Sequence, residues 1–313
     1  MNLRQLEYFI RVAELGSLSK AALILNVAQP ALSRQIRLLE TDLRTSLLQR
    51  TGRGVVLTDA GKRLFDHSIG ILQLVAQARE GLEATRNEPT GHVVIGLPPS
   101  LGRILTLPLV EAFRDSLPKA RLTIVEGLST HITEWISTGR VDVGFVHNPE
   151  SQLAIETRPV LDEPLCLVSP AKMPLPGGRN GRGKTDKTLP FNELPNYPLV
   201  IPERTHAIRK LLETQAALAG LKLQIAWEVS SVQSILELVR TGHGYAVLTH
   251  SAVLATGNPR DYRAYPLSDP KIISKLSLAN SAYKPMTPLV SHMMQLLSTL
   301  VIQRVTGDAH INS

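Results

Sequence analysis

Residues 17–40 read SLSKAALILNVAQPALSRQIRLLE. The stretch predicts two short helices joined by a tight turn. Ser19 is placed to cap the first, and Ala21, Ala22 and Leu25 give it a small apolar face. Asn26, Val27 and Ala28 interrupt the pattern. Gln29 stands where a cap belongs, and Pro30 follows at the first helical position, where its missing N–H costs nothing. Leu32, Ile36 and Leu39 then recur at spacings of four and three and share one side, leaving Ser33, Arg34 and Arg37 on the others. An apolar back and a polar N-terminal front are what a helix-turn-helix needs to set side chains against base edges.

The flanking residues extend this unit. Leu6, Phe9, Ile10 and Ala13 form one stripe of a preceding helix that ends at Gly16. Residues 47–57, LLQRTGRGVVL, place two apolar runs around a glycine-containing tip. That is a hairpin whose Arg50 and Arg53 are positioned to reach a groove or a phosphate. Three helices and such a hairpin make a winged helix-turn-helix. Helix pairs with short turns are common, so specificity comes from the order: cap, Gln-Pro helix start, basic hairpin, long helix.

FIRVAELGSLSKAA (9–22), AQPALSRQIRLLE (28–40) and LLQRTGRGVVLTDAG (47–61) resemble the N-terminal domain of LysR-type transcriptional regulators, and within that family the subgroup around the nitrogen assimilation control protein. The resemblance is dense over residues 1–65 and one of layout beyond them. It implies that Gln29, Pro30, Ser33 and Arg34 lie at the major groove and that Arg53 enters the minor groove. Gln can read adenine and Arg guanine through paired hydrogen bonds. Arg37 and Arg50 are expected on phosphate, the alternative for each being a solvated surface charge.

The chain has 313 residues, enough for two or three domains. Its net charge is +7, and residues 1–65 hold ten Lys/Arg against five Asp/Glu, so much of the excess sits on the DNA-reading block. No long uninterrupted apolar run predicts a membrane span. Residues 1–25 are amphipathic and charged throughout, which predicts no signal peptide and a cytoplasmic location. The single cysteine, Cys166, excludes an intrachain disulfide and with it a two-cysteine redox switch. Its expected role is core packing, with a reactive thiol as the alternative.

Thr58 is expected to cap a long helix running to Arg86, with Leu64, Ile71, Val75, Ala78 and Leu82 as a narrow apolar seam and Ser68 as its one polar interruption. Such a seam fits a partner helix, the alternative being packing on the chain's own domain. Residues 87–91 form a hinge. Beyond it, strands are expected at 92–97, 121–126, 142–146, 165–168, 199–201, 223–229 and 245–248, and helices at 101–116, 130–138, 207–219, 232–241 and 287–305. The alternation predicts mostly parallel sheets and an α/β fold. The expected domains are 1–57 (DNA-binding), 58–90 (dimerising linker and hinge) and 91–306 (effector-binding), with a tail at 307–313. The resemblance implies that the third is periplasmic-binding-protein-like, with subdomains at 92–161 plus 268–305 and at 162–267. It also implies a dimer through the linker, a homotetramer, a two-fold symmetric double-stranded operator, and effector closure that alters DNA bending and RNA polymerase contact.

Residues 178–185, GRNGRGKT, match a phosphate-loop pattern letter for letter. Prolines at 170, 174, 176, 190 and 195 deny it the strand before and helix after that a phosphate loop requires. Residues 173–189 read instead as a basic surface insertion. No metal-ligand spacing, no G-x-S-x-G elbow and no cofactor motif appears, so no enzyme and no cofactor is expected. For an effector, the resemblance places the site between subdomains. Three turns fit: Ser100 and Leu101 after Pro98-Pro99, Ser129 and Thr130, and Pro202 to His206, with His147 on the floor. Free N–H groups at such helix starts favour an anion, commonly a carboxylate. Pro98, Pro99 and Glu203 weigh against one, and these residues could equally be plain helix caps. The rivals to a regulator are a solute-binding module and an enzyme on an α/β scaffold.

Overall fold

The computed structural model describes residues 1–52, 54–83, 90–173, 175 and 188–306. Arg53, the basic residues 179–187, the phosphate-loop look-alike, residues 84–89 and the tail 307–313 lie outside the described residues, as does the Leu82 side chain.

The first unit is three helices and a hairpin. Helix α1 (Leu3–Leu15) opens on a reciprocal capping box between Asn2 and Gln5 and ends at Gly16 in the left-handed conformation, φ 58°. Helix α2 (Leu18–Ile24) is capped by Ser17, whose hydroxyl accepts from Lys20 N, rather than by Ser19. The chain leaves Gly16 extended at Ser17, so the helix begins at Leu18, which packs on the core. Helix α3 (Gln29–Asp42) has Ala28 as its flanking residue, which puts Gln29 and Pro30 one position further into the helix than expected. Phe9, Val12, Ala21, Ala22, Leu32, Ile36 and Leu39 form the core, whereas Ile10 and Ala13 are only half-buried. Strands β1 (Leu48–Thr51) and β2 (Gly54–Leu57) pair antiparallel, with Thr51 opposite Gly54. Val55 N donates to Gly16 O at 2.9 Å, and a Cβ on Gly54 (φ 141°) would sit 2.3 Å from that oxygen. Glycine at 54 therefore lets the wing close onto the end of α1.

Helix α4 (Asp59–Glu83) is capped by Thr58, whose hydroxyl oxygen accepts from Gly61 N at 3.0 Å. Leu64 packs on the first unit's core. Ser68 is fully buried and donates to Leu64 O.

From β3 (Gly91–Leu97) the chain alternates through α5 (Pro99–Ser116), β4 (Ala120–Glu126), α6 (Ser129–Ser137) and β5 (Val143–His147). Strand β6 (Ile155–Pro170) then runs out of this layer into a second one. The second layer holds β7 (Leu189–Pro190), β8 (Leu199–Ile201), α7 (Ala207–Leu218), β9 (Ile225–Glu228), α8 (Val232–Arg240), β10 (Ala246–Thr249) and α9 (His250–Leu254). Strand β11 (Tyr262–Ser268) completes the second layer, β12 (Ile273–Ser281) returns to the first, and α10 (Pro288–Thr306) packs against α5.

Strand β6 changes partners midway. Residues 155–164 pair with β12, and 165–170 pair with β10 and β11. Pairs β3–β4, β3–β5 and β8–β9 are parallel, as expected, but β6 and β12 run antiparallel to every neighbour. The mostly parallel expectation thus fails at the centre, because a strand returning between layers reverses direction. In the first layer, Val93, Ile95 and Leu97 face α5 and α10, while Val94 and Val146 face Ile132 and Ile136 of α6. Strand alternation thus buries both faces of the sheet. The second layer closes over Leu165, Leu167, Leu199, Ile201, Leu212, Ile235 and Leu248.

Candidate functional sites: a basic reading head and an interlayer cavity

On the reading head, Gln29, Pro30, Arg34, Arg37 and Arg50 are exposed. Arg34, Arg37 and Arg50 form no ion pair among the described residues. Ser33 differs: it is 9% exposed and lines a narrow crevice between α3 and the wing with Ile36, Arg37, Glu40 and Arg50. The Glu40 carboxylate accepts from Leu47 N and Leu48 N at 2.8 and 3.1 Å, which fixes the wing against the end of α3. The crevice thus brings Ser33 and Arg37 of α3 beside Arg50 of the wing.

A cavity of about 360 Å³ lies between the two layers. Of the sequence-predicted residues, Ser100, Ser129, His147 and His206 line it. Leu101 does not: it is fully buried in the first layer's core, one helical step past Ser100. Pro202 does not either; its carbonyl accepts from the buried Arg209 guanidinium at 2.9 Å. Thr130 lines an adjoining space of about 350 Å³, which shares Ser129, His147 and Ala207 with the first. The acid facing the cavity is Glu126 rather than Glu203. Arg103, Ser230, Ser231, Gln233 and Thr249 also line it, and no local pattern in the sequence marked them. Arg103 spans the layers, donating from Nε to Ala255 O at 2.9 Å.

Helices α5, α6, α7 and α8 all start at the cavity. Their starts are not equivalent. His206 Nδ1 accepts from Ile208 N at the head of α7, and Ser231 Oγ accepts from Ser234 N at the head of α8. The Glu126 carboxylate lies over the first turn of α5, where a Cβ on Gly102 would come within 2.2 Å of it. Helix α6 alone has neither a side-chain cap nor a carboxylate of this kind described at its head. Its first-turn N–H groups are therefore the open anion seat.

Both histidines are neutral. Burial pulls His147 down to about 4, with His206 repelling its charged form, and burial alone takes His206 to about 4. Asn148 Oδ1 accepts from Lys275 N, so its Nδ2 donates to Ser274 Oγ at 3.2 Å. Ser274 Oγ also lies 3.4 Å from His147 Nδ1, a contact in which either atom can donate. His206, whose Nδ1 accepts from Ile208 N, keeps its proton on Nε2.

Neutral burial has a consequence for stability. An unfolded histidine takes up a proton below about 6.5, whereas these two resist it until about 4. Stability is therefore lost as pH falls through that window and is unaffected above it, by about 2 kcal/mol per histidine at about pH 5. Glu163, whose carboxyl burial pushes up, acts in the opposite sense. Urea unfolding at about pH 7.5 and pH 5 should show a net loss on acidification that shrinks in His147→Gln. A loss of the same size in that variant contradicts neutral burial.

Cys166 is buried, and its thiol is pushed up to about 12 by burial and by Glu163 nearby. That matches the expected packing role. Among the described residues no cluster of three metal-binding side chains occurs, and no helix is long and apolar enough to cross a membrane.

Residues 3–62 match the model of the bacterial regulatory helix-turn-helix protein, lysR family, and residues 86–301 match the LysR substrate binding domain. The chain is 30% identical over 302 residues to the nitrogen assimilation regulatory protein nac of Klebsiella aerogenes, covering 96% of this chain and 95% of that one. It is 28% identical over 314 residues to the transcriptional dual regulator OxyR of Escherichia coli, covering 100% and 98%. Among solved structures, full-length CbnR complexed with its target DNA is similar at TM-score 0.65 and 24% identity, covering 96% of this chain and all of that one. A full-length, singly substituted OxyR from Pseudomonas aeruginosa is similar at TM-score 0.68 and 23% identity, covering 96% and 95%. The chain belongs to the LysR family of DNA-binding transcriptional regulators and joins a helix-turn-helix reading domain to a substrate-binding domain in one polypeptide.

Proposed function

We propose that this regulator reads a two-fold symmetric operator as a dimer and is switched by a small organic anion held between the layers of its C-terminal domain. Residues 1–57 read DNA, 58–90 link and dimerise, and 91–306 sense the ligand. Gln29, Pro30, Ser33 and Arg34 face the major groove, Arg53 the minor groove, and Arg37 and Arg50 the phosphates. The location is the cytoplasm, where its DNA is.

The observation that carries the effector reading is the open head of α6 at the cavity, beside two neutral imidazoles. Ser129 and Thr130 N–H groups take one carboxylate, and the Nε2–H of His206 adds a neutral donor, with the neutral His147 ring beside it. Glu126 disfavours a second negative group on the α5 side, where the exposed Arg103 already spends its Nε–H on Ala255 O. The expected effector is therefore a small monoanion with an apolar body. Thermal-shift screening of acetate, benzoate, lactate and succinate tests this. The monoanions should raise the melting temperature more than succinate does, and Ser129→Pro, which removes one N–H, should abolish the rise. Equal stabilisation by all four, or none by any alongside intact DNA binding, overturns it.

The helix-turn-helix match over residues 3–62 supports DNA binding, and CbnR, of similar fold, is solved with its target DNA. In this chain, α4 offers the seam for the dimer. Exposed Leu107 and Val110 on α5 offer a second apolar surface for joining dimers into a tetramer. DNA bent between two such dimers would change its angle as the cavity closes, and with it the contact to RNA polymerase.

A further inference from the structure

The linker helix is docked on the chain's own sensing domain, and the docking face is separate from the seam. Asp66, Gly70 and Gln73 are spaced four and three apart and share one side of α4. At 3.6 residues per turn, Leu64, Ile71, Val75, Ala78 and Leu82 fall on the opposite side. The docking face meets the turn between α6 and β5. Asp66 pairs with Arg140 Nη1 at 2.7 Å, and both side chains are largely buried. A Cβ on Gly70 would come 1.8 Å from Thr138 O, so the two backbones lie in direct contact there. The Gln73 amide donates to Gly139 O and Arg140 O at 2.8 and 3.1 Å. Lys284 Nζ braces the same turn from just beyond β12, donating to Gly139 O at 3.0 Å and pairing with Asp142 at 3.1 Å.

This turn is the C-terminal end of the helix whose N-terminal end is the open seat at the cavity. Ser129 Oγ accepts from His147 N at 2.9 Å at one end of α6. Trp135 spans the other end. Its ring lies against Gly127, stacks on His131 with centroids 5.9 Å apart, and carries the Arg140 guanidinium 4.6 Å from its centre. Arg140 thus touches Trp135 on α6 and Asp66 on α4 at once. Gly96 and Gly144 in the sheet beneath let Ile132 seat closely, and Ile136 packs on the same sheet face, so α6 is held as one closely packed element that passes strain along its length.

We propose that α6 is a lever between the cavity and the linker helix: displacement of its head at Ser129 is transmitted through Trp135 and Arg140 to Asp66, Gly70 and Gln73, and resets the angle at which α4 presents the reading head. The inference rests on the reading that the cavity is the sensing site. It adds a second contact surface on α4, the positioning residues Asp66, Gln73, Trp135 and Arg140, and a direction of transmission. Because the dimer seam is on the other face, the dock can shift without opening the dimer.

The lever predicts energetic coupling between residues that do not touch. A double-mutant cycle with Ser129→Ala and Asp66→Asn, in the full-length protein, measures the dissociation constant for the DNA upstream of its own gene and the bend it imposes. Independent sites add to within about twofold in binding. Coupling through α6 should leave the double variant away from additivity by about fivefold or more, with the bend angle shifted the same way by each single change. Gln73→Ala substitutes for Asp66→Asn should that variant fold poorly, as judged by circular dichroism. As a local reporter, Trp227→Phe leaves Trp135 the sole tryptophan, and its emission should change when DNA binds and lose that change in Asp66→Asn. Additive binding, or a Trp135 signal indifferent to Asp66→Asn, overturns the lever. Failure of the anion screen above, with the cycle still non-additive, would remove the ligand reading and leave the lever standing.

Discussion

A chain carrying Ile71→Asp and Val75→Asp should sediment as a monomer, or fail to pair through α4, and lose operator affinity by about 10²–10⁴-fold. Both side chains are half-buried in the single chain and lie on the α4 face turned away from the sensing domain. Leu74 beside them is 43% exposed. A partner helix would finish burying this stripe, and two carboxylates in it would have to be desolvated against apolar neighbours. The loss is large because each head alone reads half a site, and the linked pair gains affinity from the effective concentration that the dimer imposes. Leu64 is the wrong choice for this test, since it packs on the reading head's own core. Sedimentation and gel-shift titration, with circular dichroism as the folding control, decide the matter. An unchanged dimer with unchanged affinity would place the dimer contact elsewhere.

Arg34→Ala should relax base preference at one position of each half-site by about 10- to 100-fold, whereas Arg50→Ala should weaken every sequence together and lower the salt slope by about one. The distinction comes from place. Arg34 is exposed on the front of α3, close to its N-terminal end, where base edges are reached. Arg50 is exposed on β1 and lines the crevice beside Arg37, away from the α3 N-terminal end, so the expectation for it is a phosphate contact. Binding measured at several salt concentrations against operator and scrambled DNA separates the two effects. An Arg34→Ala protein with unchanged discrimination would contradict this docking.

The parts of the fold that were legible in the sequence are those whose signal is local. The α3 periodicity, the glycine-containing hairpin and the Thr58 cap each lie within a few residues of what they specify. So do strand 199–201 and the α7 start at 207. The misses have a common physical cause. Ser17 rather than Ser19 caps α2 because the exit from Gly16 sets the start, and a hydroxyl two residues on looks identical in a string of letters. The first half of β6 holds Pro159, Pro164 and four charged residues, so it reads as a loop. It is a strand because β12, more than a hundred residues away, pairs with it. Strands β11 and β12 went unread for the same reason.

The cavity shows the same division. Ser100, Ser129, His147 and His206 stand at strand ends and helix starts, which local pattern marks. Leu101 fell on the wrong side of a helix start because one residue there turns a side chain by about 100° into the core. Arg103, Gln233 and Thr249 reach the cavity only through the packing of one layer on the other. The docking face of α4 was equally hidden. Its apolar seam is visible as a period, but Asp66, Gly70 and Gln73 look like an ordinary solvated face until the turn at 138–140 is placed against them.

Central to this reading is that two copies of the head, held by α4, recognise a two-fold symmetric sequence through the front of α3 and the wing. Selection of binding sites from a random double-stranded DNA pool by the full-length protein tests it most directly. The expected result is one enriched motif with two inverted half-sites, degraded at the same position in both halves when Arg34→Ala is used. A motif without symmetry, or a symmetric motif that Arg34→Ala leaves intact, would contradict it.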